Sequence, residues 1–273
     1  MTTLTSRGLI SLLALLSLAA AQSGEFWQKK PYQKWSAHEC RKLLADSPWA
    51  QSYRLTQIII QPLQQQSGLP RAGLPNPTEG GSLESARAPE PLERVDAGRA
   101  RQARPELRYQ AQFRSAPPVR QAIVRLSQIS AKYDEMTPEQ QQAFDMNAAA
   151  FLSKRFPDSL VLYISYSSNV PFDDRDLARH WQTQTTETLK NFVFLILPGG
   201  EKIPLSGYGV AAGAGRTFQF VFPRQYQERP LLHSEDKTVQ LEFIHPKIRD
   251  QKESRVLIAF KPERMLLDGE IVY

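Results

Sequence analysis

The second half of this chain is a succession of short strand-like segments, and this pattern constrains the fold most. Apolar and polar residues alternate in residues 217–222 and 238–245, so each of these segments has one apolar face. Residues 191–197 and 255–260 are apolar on both faces, as strands inside a sheet often are, and residues 160–168 form the first strand of the series. Short strands separated by turns predict an antiparallel, immunoglobulin-like β-sandwich.

Two helices are predicted before these strands. A Pro-Pro pair at residues 117–118 suits the first turn of a helix, and apolar residues then recur at helical spacing over residues 119–133. Thr137 and Gln140 are placed to form the capping box of a second helix. The predicted fold class is therefore α+β, an antiparallel immunoglobulin-like sandwich with helices packed at one side.

A long polar segment divides the chain at about residues 62–105. It is rich in Pro, Gly, Gln, Ser and Arg and has no aromatic residue, which is a composition typical of disorder. Strands are predicted on either side of it, at residues 53–61 and 107–115. One strand and one short helix cannot bury a core, so we predict that these two strands share a sheet. Residues 22–273 then form a single domain that a disordered loop interrupts.

The first 21 residues have the pattern of a signal peptide. Arg7 gives a positive start, residues 9–21 are apolar, and the alanines at 19–21 offer a cleavage site before Gln22. The apolar run is shorter than the roughly 20 residues that a spanning helix needs. We expect a secreted or periplasmic protein with no stable membrane span after cleavage, and the alternative is an uncleaved anchor.

Three of the four tryptophans follow soon after this signal. Ser36 and Glu39 have the spacing of a capping box, which places Trp35 and the single cysteine, Cys40, at the two positions of a hydrophobic staple. Trp49 follows the predicted helix end. This spacing predicts that Trp35 and Trp49 are buried and anchor a short helix, with Cys40 packed near Trp35. With one cysteine, no intramolecular disulfide forms.

The alternative role for these aromatic residues is ligand binding. Trp27, Tyr32 and Trp35 lie in the less regular part of the segment, where exposed rings would make a stacking platform for a sugar or a peptide. These three are the candidate ligand-binding residues of the sequence.

Three segments of the chain also carry a resemblance. The pattern W-x-x-K-P-x-x-x-W-S-x-x-E at residues 27–39 is followed by D-S-P-W-A at residues 46–50. The other two segments are SAPPVRQA at residues 115–122 and the ending FKPERMLLDGEIVY. Together they resemble a group of exported bacterial proteins of unknown activity. The resemblance implies export and a shared fold, and it implies no catalytic residue.

No catalytic, metal or cofactor motif is found. The four histidines lack the spacing of a zinc motif, and the glycine-rich stretch at residues 209–217 lacks that of a phosphate-binding loop. The densest acidic group, residues 173–176, would suit calcium or a glycosidase pair, although such groups are more often loop charges. We therefore predict no catalytic residue, no metal and no cofactor.

The net charge of the chain indicates which classes of partner it is suited to bind. A net charge of +6 is mild for 273 residues and does not call for a nucleic acid. The sequence favours a non-catalytic exported protein of the cell envelope with a binding or structural role, whose partner is an unknown envelope protein or glycan. The alternative is an exported hydrolase that acts on glycans.

Overall fold

A computed structural model of the chain describes residues 25–56, 106–169, 174–210, 216–247 and 253–273. The predicted signal peptide and the predicted disordered loop lie outside the described residues, as does the end of the strand predicted at residues 53–61. Within the described ranges, no helix combines the length and the apolar character needed to cross a membrane.

The fold is α+β, and its sheets are antiparallel. The helices in the described ranges are α1 (Phe26–Lys29), α2 (Ala37–Ala45), α3 (Pro117–Ser130), α4 (Pro138–Ser153), α5 (Arg175–Thr183) and α6 (Thr186–Leu189). The strands are β1 (Ala50–Leu55), β2 (Leu107–Phe113), β3 (Ser159–Ser168), β4 (Phe194–Ile196), β5 (Lys202–Pro204), β6 (Gly207–Val210), β7 (Thr217–Pro223), β8 (Gln225–Tyr226), β9 (Arg229–Pro230), β10 (Val239–His245), β11 (Ser254–Phe260), β12 (Leu266–Leu267) and β13 (Glu270–Ile271).

Two larger sheets contain most of the strands. The first has the order β1-β2-β3-β7-β6, and the second has the order β11-β10-β4-β5. The strands on either side of the long polar segment pair directly, with Leu55 opposite Leu107. The prediction that these two strands share a sheet is therefore confirmed.

The apolar faces of the two sheets contact each other. The Tyr109 ring of the first sheet meets the Phe243 ring of the second at 5.0 Å, and the Phe113 ring meets the Phe260 ring at 4.8 Å. The alternation in β7 and β10 points one side chain in two toward this contact, as the sequence predicted. Helix α5 adds Trp181, which is buried and stacks on Phe218.

Helix α2 lies over the outer face of β2. The side chains of Gln110 and Gln112 point away from the core, and both donate a hydrogen bond to the main-chain oxygen of Leu44 in α2. The capping box of Ser36 and Glu39 is present as predicted. These bonds hold a nine-residue helix that would be marginal alone.

Helix α4 differs from the other long helices in its exposure. Its capping box of Thr137 and Gln140 is present as predicted, but none of its residues is buried. Met146 is 67 % exposed and Phe151 is 37 % exposed. The helix packs against α3, and its apolar side chains are not buried.

Candidate functional site

A surface cleft of about 450 Å³ lies where α3 begins, α4 ends and β13 finishes. Its walls come from residues 115–120, residues 152–157 and residues 271–273, with Arg224 between β7 and β8. The fold thus brings together four segments that are far apart in the sequence. We call this feature the basic cleft.

All of the charged side chains that line the basic cleft are positively charged. Its lining includes Arg120, Lys154, Arg155 and Arg224 and no Asp or Glu side chain. Asp158 follows the second segment in sequence but does not line the cleft. In the described ranges, no carboxylate side chain pairs with any of these four cations. The surface here attracts anions.

Arg120 is the buried cation of the cleft, with only 7 % of its surface exposed. Its Nη1 atom donates to the main-chain oxygen of Leu152 at 2.8 Å and to that of Lys154, and so caps the end of α4. Its Nε atom is buried and has no acceptor. Since Nη1 is committed and Nε is enclosed, Nη2 is the nitrogen that remains for a ligand. Burial lowers the pKa of Arg120 from its ordinary value, so the charge is costly there.

Aromatic rings support the cations. The ring centroid of Phe156 lies 5.6 Å from the guanidinium carbon of Arg120 and 5.4 Å from the Lys154 ammonium. Arg224 lies over the Tyr273 ring at 4.3 Å and donates from Nη1 to the main-chain oxygen of Tyr273 at 2.7 Å. These cation–π contacts place the charges without neutralising them.

Two of the three segments that carry the sequence resemblance line the cleft, and part of the third contacts one of them. The SAPPVRQA segment contributes Ser115 and Arg120, and the ending contributes residues 271–273. The D-S-P-W-A segment supports the ending from behind, because Trp49 Nε1 donates to the main-chain oxygen of Val272 at 2.6 Å.

The three candidate ligand-binding residues lie together, but mostly inside the protein. Trp27 and Trp35 are buried, and Tyr32 is half-buried beside Trp35. Trp35 Nε1 donates to the main-chain oxygen of Lys30, and Trp49 is fully buried. The prediction that Trp35 and Trp49 are buried is confirmed. The buried rings offer no open face for stacking a sugar.

The acidic residues around the start of α5 are engaged in ion pairs. Asp174 pairs with Arg216 at 2.5 Å, and Asp176 pairs with Arg179 at 3.5 Å, while residue 173 lies outside the described residues. Among the residues that the structure describes, no group of three His, Cys, Asp or Glu could hold a metal ion. His245 is buried and hydrogen-bonded to Tyr109.

The sequence interpretation missed the residues of the basic cleft. The sequence patterns assign no binding role to Lys154 or Arg155, and they include Arg120 only within the resemblance. A signal was available, because two adjacent cations followed by a phenylalanine, Phe156, are more than the end of one helix needs. What the sequence did not indicate is that Arg224 and the last residues would lie beside them.

Comparisons of this chain with protein-family models, with curated proteins and with solved structures find no match.

Proposed function

We propose that this chain is an exported protein of the cell envelope that acts by binding rather than by catalysis, and that an anionic ligand binds in the basic cleft. The observation that carries the proposal is the cleft itself, where Arg120, Lys154 and Arg155 converge with no carboxylate side chain in the lining. The comparisons neither name a ligand nor exclude one.

The energetic argument rests on the missing counter-charge. A buried cation without a counter-charge is costly, and Arg120 has only main-chain oxygens and an aromatic ring as its partners. In this fold Glu242 accepts from both Lys202 and Arg255, so the chain does pair cations elsewhere. At the basic cleft, a bound anion would supply the negative charge that Glu242 supplies to Lys202 and Arg255. An anion there would gain charge-assisted hydrogen bonds, each contributing about 1.5–3 kcal/mol.

The test is anion binding by the chain and by a double variant, Lys154→Gln with Arg155→Gln. Both side chains are exposed, so the variant should fold. We expect the variant to bind at least about tenfold more weakly, since two ionic contacts are removed. Arg41→Gln, an exposed arginine on α2, is the matched control and should bind as the wild type does. Equal anion binding by all three proteins would show that the cleft is not the site.

The same proposal includes the type of β-sandwich and the location of the protein in the cell. The contacting sheets support an immunoglobulin-like sandwich, in which β1 and β2 begin one sheet. The predicted signal at residues 1–21 supports a secreted or periplasmic protein whose mature chain begins at Gln22. Mass spectrometry of the protein from an envelope extract checks the start of the mature chain. The partner would be an envelope protein or glycan that carries negative charge.

The second candidate function is an exported hydrolase that acts on glycans. A smaller cleft of about 380 Å³ is lined by Glu25 and Asp46, and a pair of carboxylates is what a glycosidase uses. Glu25 pairs with Arg264 at 3.2 Å. Release of reducing sugar from envelope glycans, lost in Asp46→Asn, would support this candidate over the binding role.

A further inference from the structure

Resting on the proposed function, we infer that the group bound in the basic cleft is a phosphoryl group rather than a carboxylate. The ligand is then a phosphorylated molecule, either a free phosphate ester or the headgroup of an anionic lipid. The inference comes from the hydrogen bonds that Arg120 has left to give and from the spread of the other cations.

Arg120 cannot offer the paired contact that a carboxylate prefers. A carboxylate is planar and is best bound by two parallel N–H groups of one guanidinium. Here Nη1 already donates to main-chain oxygens at the end of α4, and Nε is enclosed in the protein. Only Nη2 remains, so Arg120 can give a ligand a contact from one nitrogen alone.

The remaining cations lie on other segments of the lining, and apart from Arg224 only the exposed Arg155 has a guanidinium that could form a paired contact. Lys154 and Arg155 follow the end of α4, whereas Arg120 lies in α3. Arg224 already donates a hydrogen bond to the main-chain oxygen of Tyr273 and lies over the Tyr273 ring. Three cations therefore remain for a ligand. A phosphoryl group has three acceptor oxygens in a tetrahedral arrangement and a charge of about −1.5 to −2 near neutral pH. It therefore accepts single contacts from several separate donors and balances most of their charge.

Arg120 also links the ligand to the protein structure. The guanidinium that would hold the phosphoryl group is the one that caps α4, and α4 has no buried residue of its own. Ligand binding to Nη2 fixes this side chain and thus the end of the helix. We expect the amides of residues 148–153 to exchange more slowly with solvent when the ligand is present.

The probes are inorganic phosphate and glycerol 3-phosphate, with acetate and succinate as the carboxylate arm. Binding to the full mature chain is measured by broadening of the phosphorus resonance and by calorimetry. We expect the phosphates to bind at least about tenfold more tightly than the carboxylates, as several charge-assisted contacts are gained. The Lys154→Gln, Arg155→Gln double variant should lose this binding, and Arg41→Gln should keep it.

A second variant, Arg120→Lys, keeps the positive charge but has a single terminal nitrogen. It therefore lacks the two separate nitrogens with which Arg120 would bond to the end of α4 and to a ligand. It should weaken phosphate binding and remove the ligand-dependent protection of residues 148–153, with circular dichroism as the check on folding. Vesicles of phosphatidic acid, whose headgroup is a phosphate monoester, distinguish the source of the phosphate. Co-sedimentation with these vesicles but not with phosphatidylcholine, together with weak binding of glycerol 3-phosphate, identifies a lipid headgroup.

The outcomes separate this inference from the proposed function. Succinate binding that equals phosphate binding and is lost in the double variant would overturn the phosphoryl group but keep an anion site in the cleft. Binding of no anion would overturn both. Phosphate binding that survives in the double variant would place the phosphate elsewhere on the protein and overturn both assignments to the cleft.

Discussion

The indole of Trp49 holds the last residues of the chain against its first helical region. Its Nε1 atom donates to the main-chain oxygen of Val272 at 2.6 Å, and its ring packs edge-on against Trp27 at 5.4 Å. Trp49 is fully buried, whereas Val272 lines the basic cleft. A core residue near the start of the domain thus fixes one wall of the candidate site.

This relationship predicts that Trp49→Phe affects both stability and ligand binding. The change removes the indole N–H and part of a buried ring, so we expect a loss of about 1–3 kcal/mol in the free energy of unfolding, measured in urea. Because Val272 loses its donor, phosphate affinity at the cleft should fall as well. Trp35→Phe is the matched control, since Trp35 Nε1 bonds to Lys30, away from the cleft. It should lower stability and leave the affinity unchanged.

Truncation of the same aromatic cluster should be more costly. Trp35→Ala removes a side chain that is 2 % exposed, and we expect a loss of about 3–5 kcal/mol, as for other core aromatic residues. Thermal unfolding followed by circular dichroism measures it. A melting temperature equal to that of the wild type would show that the cluster is not an anchor.

Glu39 should make the stability depend on pH in the acid range. Hydrogen bonds from Lys30 and Ser36 lower its pKa from 4.5 to about 2. A carboxylate with a lowered pKa stabilises the folded state above pH 4.5, and this contribution is lost as the pH falls toward 2. Both partners are partly exposed, so we expect about 1 kcal/mol at neutral pH.

The measurement compares the wild type with Glu39→Gln in urea at several pH values. Glutamine keeps the capping box, so the variant removes the charge alone. The difference in stability between the two proteins should shrink as the pH falls from 4.5 to 2. A constant difference for Glu39→Gln at every pH would contradict the prediction.

Cys40 should be unreactive in the folded protein. It is a free thiol with no exposed surface, and burial raises its pKa from 9 to about 11. The thiolate is the reactive form, so labelling with a thiol reagent at about pH 8 should be slow until the protein is unfolded in urea.

The raised pKa of Cys40 also predicts a dependence of stability on pH. The stabilisation that the protonated thiol gives below pH 9 is lost as the pH rises toward 11. Cys40→Ala should lack this alkaline loss, and rapid labelling of the native protein would contradict burial.

Local sequence patterns predicted the elements well, and they predicted the candidate site poorly. The capping boxes at Ser36 and Thr137 and the alternation in β7 depend on neighbours a few residues apart, which the sequence shows directly. The basic cleft depends on contacts over long separations, such as Arg224 with Tyr273. No spacing rule connects such residues. The burial of Trp27 and Trp35 likewise depends on which elements cover them.

The last prediction concerns residues 63–104, which lie outside the described residues. Strands β1 and β2 pair from Ala50 opposite Gln112 to Leu55 opposite Leu107, so the last paired residues on either side of this segment are adjacent in one sheet. A short connection can therefore join them. We expect that replacing residues 63–104 with a few Gly and Ser residues leaves the fold intact. Because the entropy cost of closing a loop grows with the logarithm of its length, the shorter loop should add about 2 kcal/mol of stability.

Urea unfolding of the shortened and full-length chains measures the stability change, and amide hydrogen exchange of β1 and β2 reports whether their pairing is kept. A second replacement of the same length, rich in alanine instead of glycine, is the control for linker composition. The basic cleft lies at residues 115–120 and later, so its anion affinity should not change. A shortened chain that fails to fold, or strong exchange protection of residues 63–104 in the full-length chain, would show that the segment belongs to the structured domain.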